Sequence, residues 1–132
     1  MIANPPYIPA PDSDIRMPLL HGEFDGAKVT NSLLSLNYAN VMLLVSSYSN
    51  PVSTIAYALQ NGYCVADFMT IPLQFGDYSS EPKVKNHIAG LRRNQKAFYS
   101  GNTYLLAGVL FRKFDLCKIN RSKELIQVMT VL

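Results

Sequence analysis

Residues 1–7 read Met-Ile-Ala-Asn-Pro-Pro-Tyr, a short apolar run followed directly by an asparagine, two prolines and an aromatic ring. Each proline holds φ at about −65° and removes a backbone donor, so the loop presents rigid oxygen acceptors. The Asn4 side chain and the Pro5 carbonyl can accept both hydrogens of an NH2 group while Tyr7 stacks on its planar face. This stretch therefore predicts a site that orients a planar amide or amino nitrogen.

A plain turn is the alternative interpretation, because Asn-Pro and Pro-Pro are common in loops. The surrounding residues favour the site. Met1 to Ala3 are predicted to end a buried strand, residues 8–11 continue as an extended loop, and residues 21–26 lead into a helix.

The rest of the chain alternates helical and strand patterns. Val41 to Val45 form a continuous apolar run, which predicts a strand covered on both faces. Pro72 predicts an edge position or a bulge for its strand. The predicted elements are a helix over about 26–38 capped by Asp25 with Val29, Leu33 and Leu36 on one face, a strand at 41–45, a helix from Asn50-Pro51 to Gly62, a strand at 63–75, a helix from Ser80 and Pro82 to about Phe98, and a strand at 103–114.

The first 26 residues resemble the class I S-adenosylmethionine-dependent methyltransferases, within them the enzymes that modify glutamine amides of release factors or amino groups of nucleic-acid bases. In that family an Asn-Pro-Pro-Tyr motif lies at the carboxyl end of the fourth strand. The resemblance implies that Asn4 orients the target nitrogen, Pro5 and Pro6 shape the acceptor loop, and Tyr7 stacks on the substrate.

A second segment carries the resemblance. The stretch from Gly22 to Gly26 is similar to a Gly-Gly-x-Asp-Gly segment of the glutamine-amide branch, with Glu23 where a second glycine is often found. The order of predicted elements matches the family's fourth to seventh strands. The resemblance therefore implies an α/β fold, the C-terminal half of a Rossmann-like methyltransferase sheet with parallel strands, a final antiparallel strand and flanking helices.

This resemblance divides the chain into a partial methyltransferase domain over residues 1–114 and a C-terminal tail over residues 115–132. In the family the methyl donor is held by a glycine-rich turn and an acidic residue upstream of the motif. The seven glycines here are scattered, and no Gly-x-Gly-x-x-Gly follows a predicted strand. Residues that bind the cofactor are thus not assigned, and S-adenosylmethionine is expected to bind only if the missing N-terminal half is supplied.

The implied function is the substrate-side part of an enzyme that methylates an amide or amino nitrogen of protein or nucleic acid, inactive alone. The alternative is a non-catalytic nucleic-acid or protein binding module derived from such an enzyme, so enzymatic activity is left open. Without the first strand, the strand at Met1 to Ala3 becomes an exposed edge. The expected partner is the missing half, or a second copy that self-associates through this edge.

The remaining residues suggest no other chemistry. Neither His21 nor His87 has the spacing of a metal ligand or a nucleophilic triad. Cys64 and Cys117 are interpreted as reduced, packed thiols. The sequence shows no signal-peptide pattern and no apolar stretch long enough to span a membrane, which predicts a cytoplasmic protein.

Two features keep alternatives open. The net charge is +3, and basic residues cluster in the helix after Ser80, where they form either a solvated face or a phosphate-binding surface. These residues are Lys83, Lys85, His87, Arg92, Arg93 and Lys96. In the tail, Ser122 is predicted to cap a short helix whose apolar side docks either on the domain or on another subunit.

Overall fold

A computed structural model describes residues 1–132 as one four-stranded sheet with four α-helices. Short 3₁₀ turns lie at Pro18–Leu20 and Phe114–Leu116. In chain order, the elements are β1 (Ile2–Ala3), α1 (Lys28–Leu34), β2 (Asn40–Ser46), α2 (Pro51–Gln60), β3 (Tyr63–Gln74), α3 (Pro82–Arg93), β4 (Thr103–Lys113) and α4 (Ser122–Met129).

The strands lie in the order β1-β2-β4-β3. β1 pairs parallel with β2, and β4 pairs antiparallel with both β2 and β3. β3 therefore runs in the same direction as β1 and β2. The predicted fold class is confirmed: the last long strand inserts antiparallel between two parallel strands. Pro72 lies in β3, an edge strand, as predicted. Proline has no backbone N–H, and an edge strand tolerates it because no neighbouring strand pairs with its outer side.

Helices α1, α2 and α4 cover one face of the sheet. Val41, Leu43 and Val45 point into this layer and are buried against Leu34, Ile55, Leu125 and neighbours. The opposite face is only partly covered, since Met42 remains 41% exposed and Met69 74% exposed. The prediction that β2 is covered on both faces is therefore wrong, because α3 and the N-terminal loops pack near one end of the second face.

The boundaries of two helices differ from the predictions. The Asp25 carboxylate accepts a hydrogen bond from the Ala27 N–H at 2.9 Å, so it closes a turn before the helix and does not cap it. α1 then begins at Lys28 and ends at Leu34, so the predicted face residue Leu36 is exposed. α3 ends at Arg93 because Gln95 takes a left-handed conformation with φ of 58°.

α2 begins at Pro51 as predicted, and Gly62 follows its end with φ of 81°. The left-handed conformation at Gly62 is the usual way to terminate a helix. Asn50 does not cap α2 with its side chain, because its amide donates to the Asp25 carboxylate at 2.7 Å. The side chains of Asp25 and Asn50 thereby link the loop before α1 to the start of α2.

The tail docks on its own domain. Leu125 and Met129 are fully buried in the core under the sheet. The Asn120 side-chain oxygen accepts from the Val65 N–H at 3.1 Å, and the Arg121 N–H donates to the Val65 carbonyl at 2.8 Å. The predicted helix exists, but Ser122 is its first residue and not its cap, since Asn120 also accepts from the Ser122 N–H.

The two cysteines form a disulfide, so their interpretation as separate reduced thiols is wrong. Cys64 at the start of β3 is joined to Cys117, with their Cα atoms 6.6 Å apart. The Phe114 N–H donates to the Gly62 carbonyl at 2.9 Å, which brings the two cysteines together. Disulfides are rare in cytosolic proteins, which weighs against the predicted cytoplasmic location. None of the helices has the length and apolar character needed to cross a membrane.

Candidate functional site

The predicted site lies where three parallel strands end. Asn4 follows β1 directly, Tyr48 lies just beyond β2, and the segment Gly76 to Ser79 follows β3. Since β1, β2 and β3 run in one direction, their carboxyl ends meet at the same edge of the sheet. In open α/β sheets this edge is the usual place for a ligand.

A cavity of about 290 Å³ opens at this edge, and all four residues of the Asn-Pro-Pro-Tyr stretch line it. The predicted site residues, which are consecutive in the chain, thus all border one space. The complete lining is Asn4, Pro5, Pro6, Tyr7, Ile8, Leu19, Leu20, Tyr48, Gly76, Asp77, Tyr78, Ser79 and Tyr104.

The loop at Pro6 and Tyr7 is held by close packing against two glycines. A Cβ at Gly22 would lie 2.7 Å from the Tyr7 Cα and 2.8 Å from the Pro6 oxygen, and one at Gly26 would lie 2.5 Å from the Tyr7 oxygen. The Ser49 hydroxyl donates to the same Tyr7 oxygen at 2.6 Å. These contacts fix the backbone of the predicted acceptor loop from two sides.

Glu23 lies between these glycines in a left-handed conformation, with φ of 70°. Non-glycine residues pay a steric cost there, on the order of 1–2 kcal/mol for an ordinary side chain. The resemblance described above expects a second glycine at this position. The observed backbone supplies a physical reason for that preference, because glycine adopts this φ without a steric penalty.

Asn4 and Tyr7 present different surfaces to the cavity. Asn4 is exposed, whereas the Tyr7 side chain is half-buried with its ring centroid 5.9 Å from that of Tyr48. Burial, and then the neighbouring Tyr104, raise the pKa of the Tyr7 phenol. Tyr7 is consequently neutral at physiological pH and offers a ring face and a hydroxyl, with no charged base.

Several lining residues were missed by sequence reasoning. Tyr48 lies in the loop between β2 and α2, yet it is 2% exposed, and its burial raises its pKa well above the usual value. Its ring contacts those of Tyr104 at 4.7 Å and Phe75 at 5.3 Å. The signal that could have revealed Tyr48 is its place directly after a strand parallel to β1.

The loop after β2 also anchors the start of β4. The Ser47 hydroxyl donates to the Phe98 carbonyl at 2.7 Å and accepts from the Leu105 N–H at 2.9 Å. This pairing places Tyr104 beside Tyr48 in the aromatic cluster. Tyr104 is therefore a packed residue, whereas Tyr99 is half-buried beside Phe75 at 5.3 Å.

The basic residues of α3 lie away from the cavity, and some of them hold the fold together. Lys83 forms an ion pair with Asp12, and the Arg92 guanidinium lies 4.7 Å from the centre of the Tyr99 ring. His87 Nε2 lies 2.6 Å from the Phe24 carbonyl oxygen, and His21 Nε2 lies 3.2 Å from that of Ala10. The remaining basic residues are Lys85 and Arg93 in α3 and Lys96 just after it, and all three are exposed.

The arrangement at the cavity suits an uncharged planar group. Asp77 is the one acidic residue of the lining, and no lysine, arginine or histidine lines the space. A volume of about 290 Å³ lies just below the range of about 300–1,000 Å³ that is usual for pockets of drug-sized ligands. The cavity is therefore large enough for an amino-acid side chain or a nucleobase.

Comparison with known proteins adds one distant likeness. The sequence matches no protein-family model and no curated protein. Among solved structures, it is similar to a chain of the E. cuniculi Mtq2–Trm112 complex, which is described as responsible for methylation of the eRF1 translation termination factor. The TM-score is 0.41 at 21% identity, over 82% of this chain and 49% of that one. The chain thus spans about half the length of its neighbour, and a likeness this distant carries no argument about function.

Proposed function

We propose that this chain is the acceptor-side half of a methyltransferase-related domain, and that it orients an amide or amino nitrogen for methylation. The observation that carries the proposal is the cavity at the carboxyl ends of three parallel strands, lined by Asn4, Pro5, Pro6 and Tyr7 together. The strand order, with an antiparallel strand inserted between two parallel ones, supports the same family of folds.

The role proposed for each residue follows from its donor and acceptor chemistry. The Asn4 amide oxygen and the Pro5 carbonyl accept the two hydrogens of the target NH2 group, which turns its lone pair toward the methyl donor. Tyr7 stays neutral and stacks on the planar group. Orientation of this kind contributes about 7–11 kcal/mol in the best intramolecular cases, so no charged base is needed for a large effect.

The methyl donor of the proposed reaction is S-adenosylmethionine, but the cavity does not fit it. Its lining contains no glycine-rich turn, and no such turn follows any strand of the chain. We therefore assign no residue of this chain to the donor, and we propose that a separate segment or chain binds it.

The open part of the sheet is where that donor-binding partner would pack. β1 pairs on one side only, and Ile2 on this edge is 81% exposed. Met42 and Met69 extend the apolar surface over the adjoining face. A partner strand that pairs with β1 would bury this edge, and a partner helix would bury the adjoining apolar face, as in sheets whose parallel strands are covered on each side.

The alternative function, a binding module for nucleic acid or protein, depends on α3. Lys85 and Arg93 of α3 are exposed, as is Lys96 just after it, and basic side chains of this kind release counterions when they contact phosphates. The other basic groups of α3 are engaged with Asp12 and Tyr99. The small number of free cations makes this surface the weaker candidate.

A titration followed by amide NMR shifts tests the proposal. The ligands are two blocked tripeptides, Gly-Gln-Gly and Gly-Met-Gly, which differ in the NH2 group and little in length, and adenosine. We expect the glutamine peptide or adenosine to shift amides near Asn4, Tyr7 and Tyr48, and the methionine peptide to bind more weakly. Asn4→Ala should weaken binding about tenfold, the equivalent of about 1.4 kcal/mol for one hydrogen bond.

The matched control is Asn86→Ala, which removes an exposed asparagine on α3, outside the cavity. It should leave the affinity unchanged. Equal binding of the two peptides, or an Asn4→Ala variant that binds as the parent does, would show that the Asn-Pro-Pro-Tyr stretch is a structural turn. Shifts confined to α3 when a short oligonucleotide is added would favour the binding module instead.

A further inference from the structure

We propose that Asp77 makes the acceptor cavity selective for charge, so that it prefers a peptide segment with basic neighbours over acceptors flanked by phosphates or carboxylates. This inference rests on the proposed function and names its substrate class. It assigns a specificity-determining role to a residue for which the sequence alone suggested none.

The first observation is the charge of the cavity. Asp77 is exposed at the cavity, and its carboxylate has neither an ion pair nor a hydrogen bond within the chain. By contrast, Asp12 pairs with Lys83 and Asp67 pairs with Arg121. The charge of Asp77 is thus available to a ligand, and no cation of the lining opposes it.

The second observation is that a defined turn holds Asp77 at the cavity. The Gly76 N–H donates to the Ser79 hydroxyl at 3.0 Å, and the Ser80 N–H donates to the Gly76 carbonyl at 3.0 Å. Ser79 is buried at 5% exposure, so the turn is anchored to the domain. Asp77 and Tyr78 lie between these anchors, at the outward corner of the turn.

The third observation is the apolar mouth of the cavity. Leu19 is 84% exposed and Tyr78 is 41% exposed, and both belong to the lining. Exposed apolar groups at a site edge suit the side chains and backbone of a peptide. A polynucleotide would instead need cations for its phosphates, and those of α3 lie outside this lining.

An exposed carboxylate gives a modest but measurable selectivity. Ion pairs between exposed groups are worth about 0.2–1 kcal/mol, which corresponds to a change in affinity of up to about fivefold. The effect should shrink as salt is added, because the screening length falls from about 10 Å at 0.1 M to about 3 Å at 1 M.

The test uses two blocked pentapeptides, each with a central glutamine and two glycines, that end in lysines or in glutamates. With the parent chain at low salt, we expect the lysine peptide to bind about threefold more tightly. Asp77→Asn should remove this preference and Asp77→Lys should reverse it. The matched control is Asp115→Asn, an exposed carboxylate outside the cavity, which should leave the preference intact.

A second pair of ligands addresses nucleic acid. Adenosine should bind more tightly than adenosine 5′-monophosphate, and Asp77→Asn should reduce the difference between the two affinities. Tighter binding of the monophosphate, equal binding of the two pentapeptides, or an equal effect of Asp115→Asn would each overturn the inference. If both pentapeptides bind equally and Asn4→Ala still weakens them, the charge selectivity fails while the proposed function stands.

Discussion

Replacing Gly22 by alanine should destabilise the domain and disturb the acceptor loop together. A Cβ at this position would lie 2.6 Å from the Gly26 oxygen, 2.7 Å from the Tyr7 Cα and 2.8 Å from the Pro6 oxygen. Ordinary contacts of carbon atoms lie at about 3.5–4.0 Å, so main-chain atoms on both sides must move by roughly 0.7 Å or more. Overpacking typically lowers the free energy of unfolding by about 1–3 kcal/mol. Because the new Cβ would meet backbone atoms at three points, we expect Gly22→Ala to cost about 3 kcal/mol.

The assay is urea denaturation, with Gly90→Ala as the matched control. A Cβ at Gly90 meets only the end of the Arg93 side chain at 3.6 Å, and alanine is favoured over glycine inside a helix by about 0.8–1.0 kcal/mol. Gly90→Ala should therefore stabilise the chain and leave ligand binding unchanged, whereas Gly22→Ala should weaken both. A Gly22→Ala variant whose free energy of unfolding lies within about 0.5 kcal/mol of that of the parent would refute the reasoning, because overpacking against backbone atoms should destabilise the chain by more than that.

Two further predictions concern the tail. Cys117→Ser removes the disulfide to Cys64, which joins residues separated by 53 positions in the sequence. Because the disulfide restricts the chain entropy of the unfolded state, we expect the free energy of unfolding to fall by about 4 kcal/mol without it. If the parent chain unfolds at the same urea concentration with and without dithiothreitol, this expectation is contradicted. Leu125→Ala should cost about 2–5 kcal/mol because Leu125 is fully buried, whereas Lys123→Ala on the exposed side of α4 should cost little. Equal effects of these two substitutions would mean that α4 does not pack on the domain in solution.

The local elements were predictable because their causes lie within a few residues of each other. Alternating and continuous apolar runs marked β2, β3 and β4, and Pro51 with Gly62 marked the ends of α2 within a residue or two. The strand order and directions followed from the resemblance carried by the first 26 residues, and the sheet confirms them. Boundaries failed where a side chain found a different partner, as when Asp25 bonded to Ala27 and Asn50 and left α1 without a cap.

The sequence by itself thus determined the type and order of the elements and the grouping of Asn4 to Tyr7, since propensity, periodicity and backbone restriction act between neighbours. The tertiary structure alone decided that Cys64 meets Cys117, that α4 docks on its own domain, and that Tyr48 and Asp77 join the cavity. These contacts join residues that lie far apart in the chain. They exist because parallel strands bring their carboxyl ends to one edge, and because the apolar side of α4 is buried only once the sheet has formed.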